Sequence, residues 1–247
     1  EVLEGLETFK EDYISHIRRQ ECTGITGQKI PCVTLCPAHV DIPGYIAHVQ
    51  EGNYDKAINL IRRDNPLPTA CAMICEHPCE ERCRRNLIDT SLNIRGVKKY
   101  AVDQIAADKV EVPRANPATG KKVAVIGGGP SGMTAAYYLS LMGHKVTVYE
   151  AKERLGGMLM YGIPNYRFPK DRLDEDMNAI LSTGNIEVKY GVNVGVDVPV
   201  EEIHKSYDAM YVAIGAQAGK KLRLEGIDAK NVFSAVEMLD EIGHDRK

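Results

Sequence analysis

The stretch "VAVIGGGPSGMTAAYYLSLMGHKVTVYE", residues 123–150, leaves few folds open. Two short β-branched runs, KVAVIG and KVTVYE, flank a helical pattern, PSGMTAAYYLSLMG. That is a β-α-β unit, which commits the chain to a parallel sheet with helices packed on it. The turn reads G-x-G-x-x-G at Gly127, Gly129 and Gly132. The first glycine permits the tight turn, the second lets a pyrophosphate approach the backbone, and the third lets helix and strand pack closely. The helix N-terminus, where Pro130 and Ser131 are candidate cofactor contacts, offers its free N–H groups and its positive dipole end to phosphate. Glu150 closes the second run and can accept hydrogen bonds from ribose hydroxyls. Its charge disfavours a 2′-phosphate. A dinucleotide site in an α/β domain is the reading; the plain alternative is a glycine turn in an ordinary sheet.

The segment after Glu150, "AKERLGGMLMYGIPNYRFPKD", bears on which dinucleotide. The pair Gly156 and Gly157 suits a backbone that passes close to a flat ring or a diphosphate. Later, "YDAMYVAIGA" reads as a fully buried strand with Ala213, Gly215 and Ala216 at its carboxyl end, where such sheets bind ligands. The three elements together resemble the flavoproteins with two dinucleotide domains, and that resemblance favours FAD. Ala151, Arg154, Leu155 and Val194 complete the candidate cofactor contacts.

The preceding half has a different grammar. Residues 1–112 read as short helices joined by Pro/Gly turns, 113–120 as a linker, and 121–247 as the α/β domain. Leu3, Leu6, Phe9, Tyr13, Ile14 and Ile17 fall at helical spacing. Asp41 and Asn53 are expected N-caps, with Pro43 in one first turn and Pro66 ending the other helix. "SLNIRGVKKYAVDQIAADKV" is expected as one longer helix.

This half holds all seven cysteines: Cys22, Cys32, Cys36, Cys71, Cys75, Cys79 and Cys83. An odd number argues against a simple disulfide framework. The last four repeat C-x3-C. A buried helical stripe would explain that spacing, but Pro78 and the polar run "EHPCEERCRRN" oppose it. Zinc sites commonly use C-x2-C pairs, and none occurs here. Pro37 follows Cys36 as in ferredoxin-like cluster loops, so iron–sulfur ligation is favoured. His39, His48 and His77 read as surface or core histidines. Arg82, Arg84, Arg85, Arg95, Lys98 and Lys99 offer charge beside a thiolate cluster, a docking face, or a solvated surface. A net charge of −3 marks no nucleic-acid surface, and no apolar run reaches membrane-span length. The amino terminus lacks signal-peptide features, so a cytoplasmic location is expected.

The ordered set C-x3-C-P, "DIPGYI", "DNPLPTAC", "NIRGVKKYAVD", the glycine loop, "GGMLMYGIPNYRFP" and "YDAMYVAIGA" resembles a known family. It is that of the glutamate synthase small subunit, the amino-terminal half of dihydropyrimidine dehydrogenase, and the large subunit of NADH-dependent ferredoxin:NADP oxidoreductase. The resemblance implies a helical domain with two [4Fe-4S] clusters followed by a Rossmann-like FAD domain. It implies Cys32 and Cys83, with Cys22, in one cluster and Cys36, Cys75 and Cys79 in the other. It places Arg167 against the flavin nucleotide.

Three departures stand out. One cysteine of the family's first group is missing. Lys98 occupies the position where the family often supplies a Glu or Gln ligand, and Cys71 is available to replace it. No second glycine loop follows, so the NAD(P)H domain is expected elsewhere. The resulting expectation is an oxidoreductase module that passes electrons between FAD and clusters, serving a larger redox subunit. The rivals are a docking subunit that has lost a cofactor and an NAD-binding dehydrogenase half with structural zinc.

Overall fold

A computed structural model describes residues 30–219 and 223–244. The helix expected near the amino terminus, and Cys22, lie outside them. The chain divides into two compact units between Glu111 and Val112.

The first unit is helical: α1 (Pro31–Leu35), α2 (Ile42–Gln50), α3 (Tyr54–Asp64), α4 (Pro68–Ile74), α5 (Pro78–Glu81) and α6 (Ile94–Gln104). Single 3-10 turns follow α5 and α6. Asp41 caps α2, its carboxylate accepting from the Gly44 N–H at 3.0 Å. Asn93 caps α6 in the same way through Gly96 N–H at 2.9 Å. Asn53 precedes α3, but its side chain donates to Glu51 instead of capping the helix. Ala57 and Ile61 of α3 pack with Ile42 and Tyr45 of α2 and Ile94 of α6. The Tyr45 hydroxyl donates to the Ile94 carbonyl at 3.1 Å, joining α2 to the start of α6.

The helix expected through residue 110 stops at Gln104. Ile105 turns extended and packs with Ile58, Ala72, Val102 and Val110. The carbonyls of Ala107 and Val110 then face Arg62, whose guanidinium donates to both. Arg62 is only 1% exposed. A buried cation therefore closes the end of the unit, and the Ala107 carbonyl also accepts from the Val110 N–H within the last 3-10 turn.

The second unit is α/β: β1 (Lys122–Ile126), α7 (Pro130–Leu141), β2 (Lys145–Glu150), α8 (Met158–Tyr161), α9 (Lys170–Leu181), β3 (Ile186–Tyr190), α10 (Val200–Ser206), β4 (Ala209–Val212) and α11 (Ala235–Gly243). The four strands form one parallel sheet in the order β3-β2-β1-β4. Alternation along β1 assigns its faces. Val125 meets α7 at Gly132, while Ala124 and Ile126 pack with Ile203 of α10. Met133, Ala136, Tyr137 and Ser140 form the buried stripe of α7.

One expectation needs correction. β4 is not fully buried: Tyr211 and Val212 are exposed, as is Ile214 just beyond. Among the described residues β4 is an edge strand, paired only with β1. Apolar sequence shows what a strand is able to bury, not what is present to cover it. Residues 113–120, expected as the linker, make backbone hydrogen bonds within the second unit. Asn116 N–H donates to the Leu141 carbonyl at 2.8 Å and Thr119 N–H to that of Gly143 at 3.0 Å. The segment is fastened to the turn between α7 and β2.

Replacing Arg62 by Met keeps apolar volume but leaves the Val110 carbonyl buried without its guanidinium donor and the Ala107 carbonyl with only the Val110 N–H. The expected cost is about 2 kcal/mol, from the lost charge-assisted bonds and the unsatisfied acceptor. Urea unfolding of Arg62→Met against the parent chain measures it, with the loss confined to the helical unit's transition.

Candidate functional site

The loop after β1 is shaped by backbone contacts. Gly127 N–H donates to the Tyr149 carbonyl at 2.8 Å, extending the β1–β2 ladder into the turn. Its φ of +106° belongs to glycine, and a side chain there would strike the Ala213 carbonyl. Ala213 itself donates to the Ile126 carbonyl at 2.8 Å. At Gly132 a Cβ would collide with the Gly127 carbonyl oxygen and come within 3.1 Å of Val125 Cγ1. Gly129 is different. It has ordinary extended dihedrals, and a Cβ would meet only the Gly157 Cα, at 3.7 Å. Open space therefore lies over Gly129, beside the start of α7, where the first-turn N–H groups have no intrahelical partner. Ser131 is exposed there, its Oγ 2.9 Å from the Tyr211 hydroxyl.

Glu150 closes this loop from the side. It is buried, and its two carboxylate oxygens accept from Gly128 N–H at 2.7 Å and Lys152 N–H at 2.8 Å. The side chain thus joins the ends of β1 and β2, and each oxygen keeps a further lone pair for a hydroxyl donor. Gly128 was not singled out from the sequence, because its contribution is a backbone N–H. Gly156 N–H donates to the Gly128 carbonyl at 2.9 Å, which lays the second glycine pair across the first loop. Gly157 has φ +51° and ψ −126°, and a Cβ on it would stand 2.9 Å from the Gly129 Cα. Leu155 is buried against Gly128.

The remaining cofactor candidates are more dispersed. Ala151, Arg154 and Arg167 are exposed, and the Arg154 guanidinium donates to Asp174 at 2.7 Å. Val194 is partly buried and packs against the cluster of Ala124, Ile126, Tyr149 and Ile203. Gly215, with φ +69°, and Ala216 follow β4 on the exposed edge.

Six thiols lie among the described residues, and all are free of disulfides. Cys32 and Cys36 sit in and just after α1, which packs against α5 carrying Cys79. All three border the core around Tyr45. Burial pushes the Cys32 thiol up to about 11, and the charge of Cys83 adds to the effect. Burial likewise raises Cys79 to about 11, with Lys98 pulling against it and Cys75 and Cys36 reinforcing it. Cys71 on α4 donates to Cys75 at the helix end, raising its own pKa and lowering that of Cys75. Cys75 also accepts from the His77 N–H at 3.3 Å, and Cys71 from the Asn65 amide at 2.8 Å. Thiols thus influence one another as Cys32 with Cys83, and as Cys36, Cys75 and Cys79 with Cys71 attached through Cys75. Among the described residues, no three His, Cys, Asp or Glu side chains are placed to hold one metal ion together.

Lys98 carries the least expected feature. It is 7% exposed, on the stripe Ile94, Lys98, Ala101 and Val102 that α6 buries. That i, i+4, i+7, i+8 spacing was readable in the sequence. The histidines interact elsewhere: His39 and His77 with the carbonyls of Val33 and Cys75, His48 with Glu51.

Comparison with known proteins agrees with this division. Residues 8–110 match the family model of dihydropyrimidine dehydrogenase domain II, 4Fe-4S cluster, and residues 125–191 that of an NAD(P)-binding Rossmann-like domain. The chain is 39% identical over 235 residues to NADPH-Fe(3+) oxidoreductase subunit beta of Geobacter sulfurreducens, covering 92% of this chain and 35% of that one. It is 36% identical to the beta subunit of NADP(+)-dependent formate dehydrogenase of Moorella thermoacetica, covering 87% and 34%. It is 34% identical to the glutamate synthase [NADPH] small chain of Mycobacterium tuberculosis, covering 93% and 47%. The chain spans about a third to a half of the length of these curated relatives. No helix among the described residues is long and apolar enough to cross a membrane. With a helical 4Fe-4S domain followed by a Rossmann-like parallel-sheet domain, the chain is a homologue of the glutamate synthase small chain and of these oxidoreductase beta subunits.

Proposed function

We propose that the chain is the flavin and iron–sulfur electron-transfer part of an NAD(P)H-linked oxidoreductase, with FAD in the second unit and two [4Fe-4S] clusters in the first. The observation that carries this reading is the crossing of Gly156–Gly157 over Gly128–Gly129, with Glu150 fastened beneath, on the same chain as six free thiols. FAD would exchange an electron pair with a hydride donor and single electrons with the clusters, joining two-electron to one-electron chemistry.

The residues present fit such a group. Open space over Gly129 and the first-turn N–H groups of α7 suit a diphosphate. The spare lone pairs of Glu150 suit ribose hydroxyls, and its charge repels a 2′-phosphate. Leu155 and Gly157 narrow the space beside the loop, and Arg154 and Arg167 remain at the surface for phosphate or a partner. In the helical unit, Cys32 and Cys83 serve one cluster, with Cys22 added, and Cys36, Cys75 and Cys79 serve the other. Burial disfavours charged thiolates there, so the group they bind must supply compensating positive charge. NAD(P)H is the hydride donor, the substrate chemistry belongs to a larger partner subunit, and the reducing cytoplasm suits the free thiols.

Anaerobic purification followed by cofactor extraction and iron and sulfide assays tests this. Released FAD with about four or eight irons per chain supports the reading. Released NADP without flavin, or zinc without sulfide, removes it. A paired substitution probes the cradle. Gly132→Ala is expected to cost about 2 kcal/mol of stability through overpacking, whereas Gly129→Ala leaves the melting temperature near the parent's and lowers FAD retention at least tenfold. Thermal melts and bound-flavin stoichiometry distinguish the two.

A further inference from the structure

Lys98 is 7% exposed, and no carboxylate is paired with its ammonium among the described residues. Its Nζ stands 5.7 Å from the Tyr45 ring centroid, a cation–π contact. The Tyr45 hydroxyl is already committed to the Ile94 carbonyl. The helix α4, which ends beside Cys75 and bears Cys71, packs on α6, and the Lys98 charge pulls the pKa of Cys71, Cys75 and Cys79 down. A buried cation is costly unless an anion or a hydrogen-bond acceptor answers it. The position is therefore arranged around negative charge that resides on, or is bound by, those sulfurs.

Cys71 is held in the same place. α4, which bears it, packs on α6, which bears Lys98. The Asn65 amide donates to its sulfur at 2.8 Å. Arg95 fixes the chain just beyond, its guanidinium donating to the Cys75 carbonyl at 3.0 Å and its N–H to Glu80 at 2.9 Å. Cys36 and Cys79 approach from α1 and α5 across the Tyr45 core. The four sulfurs do not meet at one point. Cluster ligands need not, because each thiolate of a [4Fe-4S] cube binds a different iron and so stands farther from its neighbours than the ligands of a single ion do.

We propose that Cys36, Cys71, Cys75 and Cys79 form an all-thiolate [4Fe-4S] site and that Lys98 is its buried countercharge, a group that positions and tunes the cluster without ligating it. The inference rests on the cluster reading above and deepens it. It turns Lys98 from a failed ligand into an electrostatic partner. It also gives Cys71 the coordination place that a protonated lysine cannot fill. A thiolate-ligated cube is anionic and becomes more so on reduction, so a fixed positive charge beside it favours the reduced form.

The test uses the whole chain, reconstituted anaerobically with iron and sulfide, and four variants: Cys36→Ala, Cys71→Ala, Cys71→Ser and Lys98→Met. Cys71→Ala should lose up to about four irons with matching sulfide, as Cys36→Ala does. Cys71→Ser, which keeps an oxygen ligand, should retain the cluster with an altered EPR spectrum. This second variant decides the matter if Cys71→Ala does not fold. Lys98→Met should keep its iron while the midpoint potential of one cluster moves more negative and that of the other stays in place. Parent iron content and EPR in both Cys71 variants, or an unmoved potential in Lys98→Met, would overturn the inference while leaving the clusters themselves intact. A parent chain that takes up no iron and sulfide would instead overturn the cluster reading on which it rests.

Discussion

The second unit depends on one close approach, that of Gly132 to the Gly127 carbonyl. Only without a side chain can α7 descend onto β1 at that point. The descent fixes the helix start above the strand end and leaves the space over Gly129 open. It also sets the height at which Gly156 can donate to Gly128 and Glu150 can reach the Gly128 N–H. A bulkier residue at position 132 would lift the helix, and the second glycine pair would lose the surface it crosses. Packing and binding are set here by the same missing atom.

The helical unit has a different organising constraint, the placement of charge away from water. Its two most buried cations are managed in different ways. Arg62 satisfies backbone carbonyls and so closes the end of the unit. Lys98 lies over an aromatic ring and beside sulfur. Arginine's planar fork suits the first task, since it answers two carbonyls at once, and lysine's compact charge suits the second. Neither arrangement maximises stability by itself. The Lys98 site is the stronger pointer to function, because no permanent group among the described residues neutralises it.

Much of this was legible in the sequence, and the limits have physical causes. The β-α-β unit, the glycine loop and the Asp41 cap depend on local chemistry, and each appears as expected. β4 was misread because burial is a property of neighbours: "AMYV" is apolar enough for a central strand but lies at an edge, with Val212 58% exposed. Residues 113–120 carry linker composition, yet their N–H groups find the carbonyls at the end of α7, which no local pattern predicts. The break after Gln104 follows from Arg62, more than forty residues away. The C-x3-C repeat alone does not say which thiols meet, and the grouping of Cys32 with Cys83 and of Cys36 with Cys75 and Cys79 came from the resemblance. In the fold the Cys83 charge acts on Cys32, and the charges of Cys75 and Cys36 act on Cys79.

The most direct measurement of the central claim is an anaerobic reductive titration of the isolated chain, followed in parallel by visible absorption and EPR. The account predicts that flavin bleaching and the paramagnetic signal of reduced [4Fe-4S] both develop, and that electron uptake exceeds the two equivalents of flavin by one for each cluster. Uptake that stops at the flavin, with no paramagnetic cluster at any stage, would contradict it.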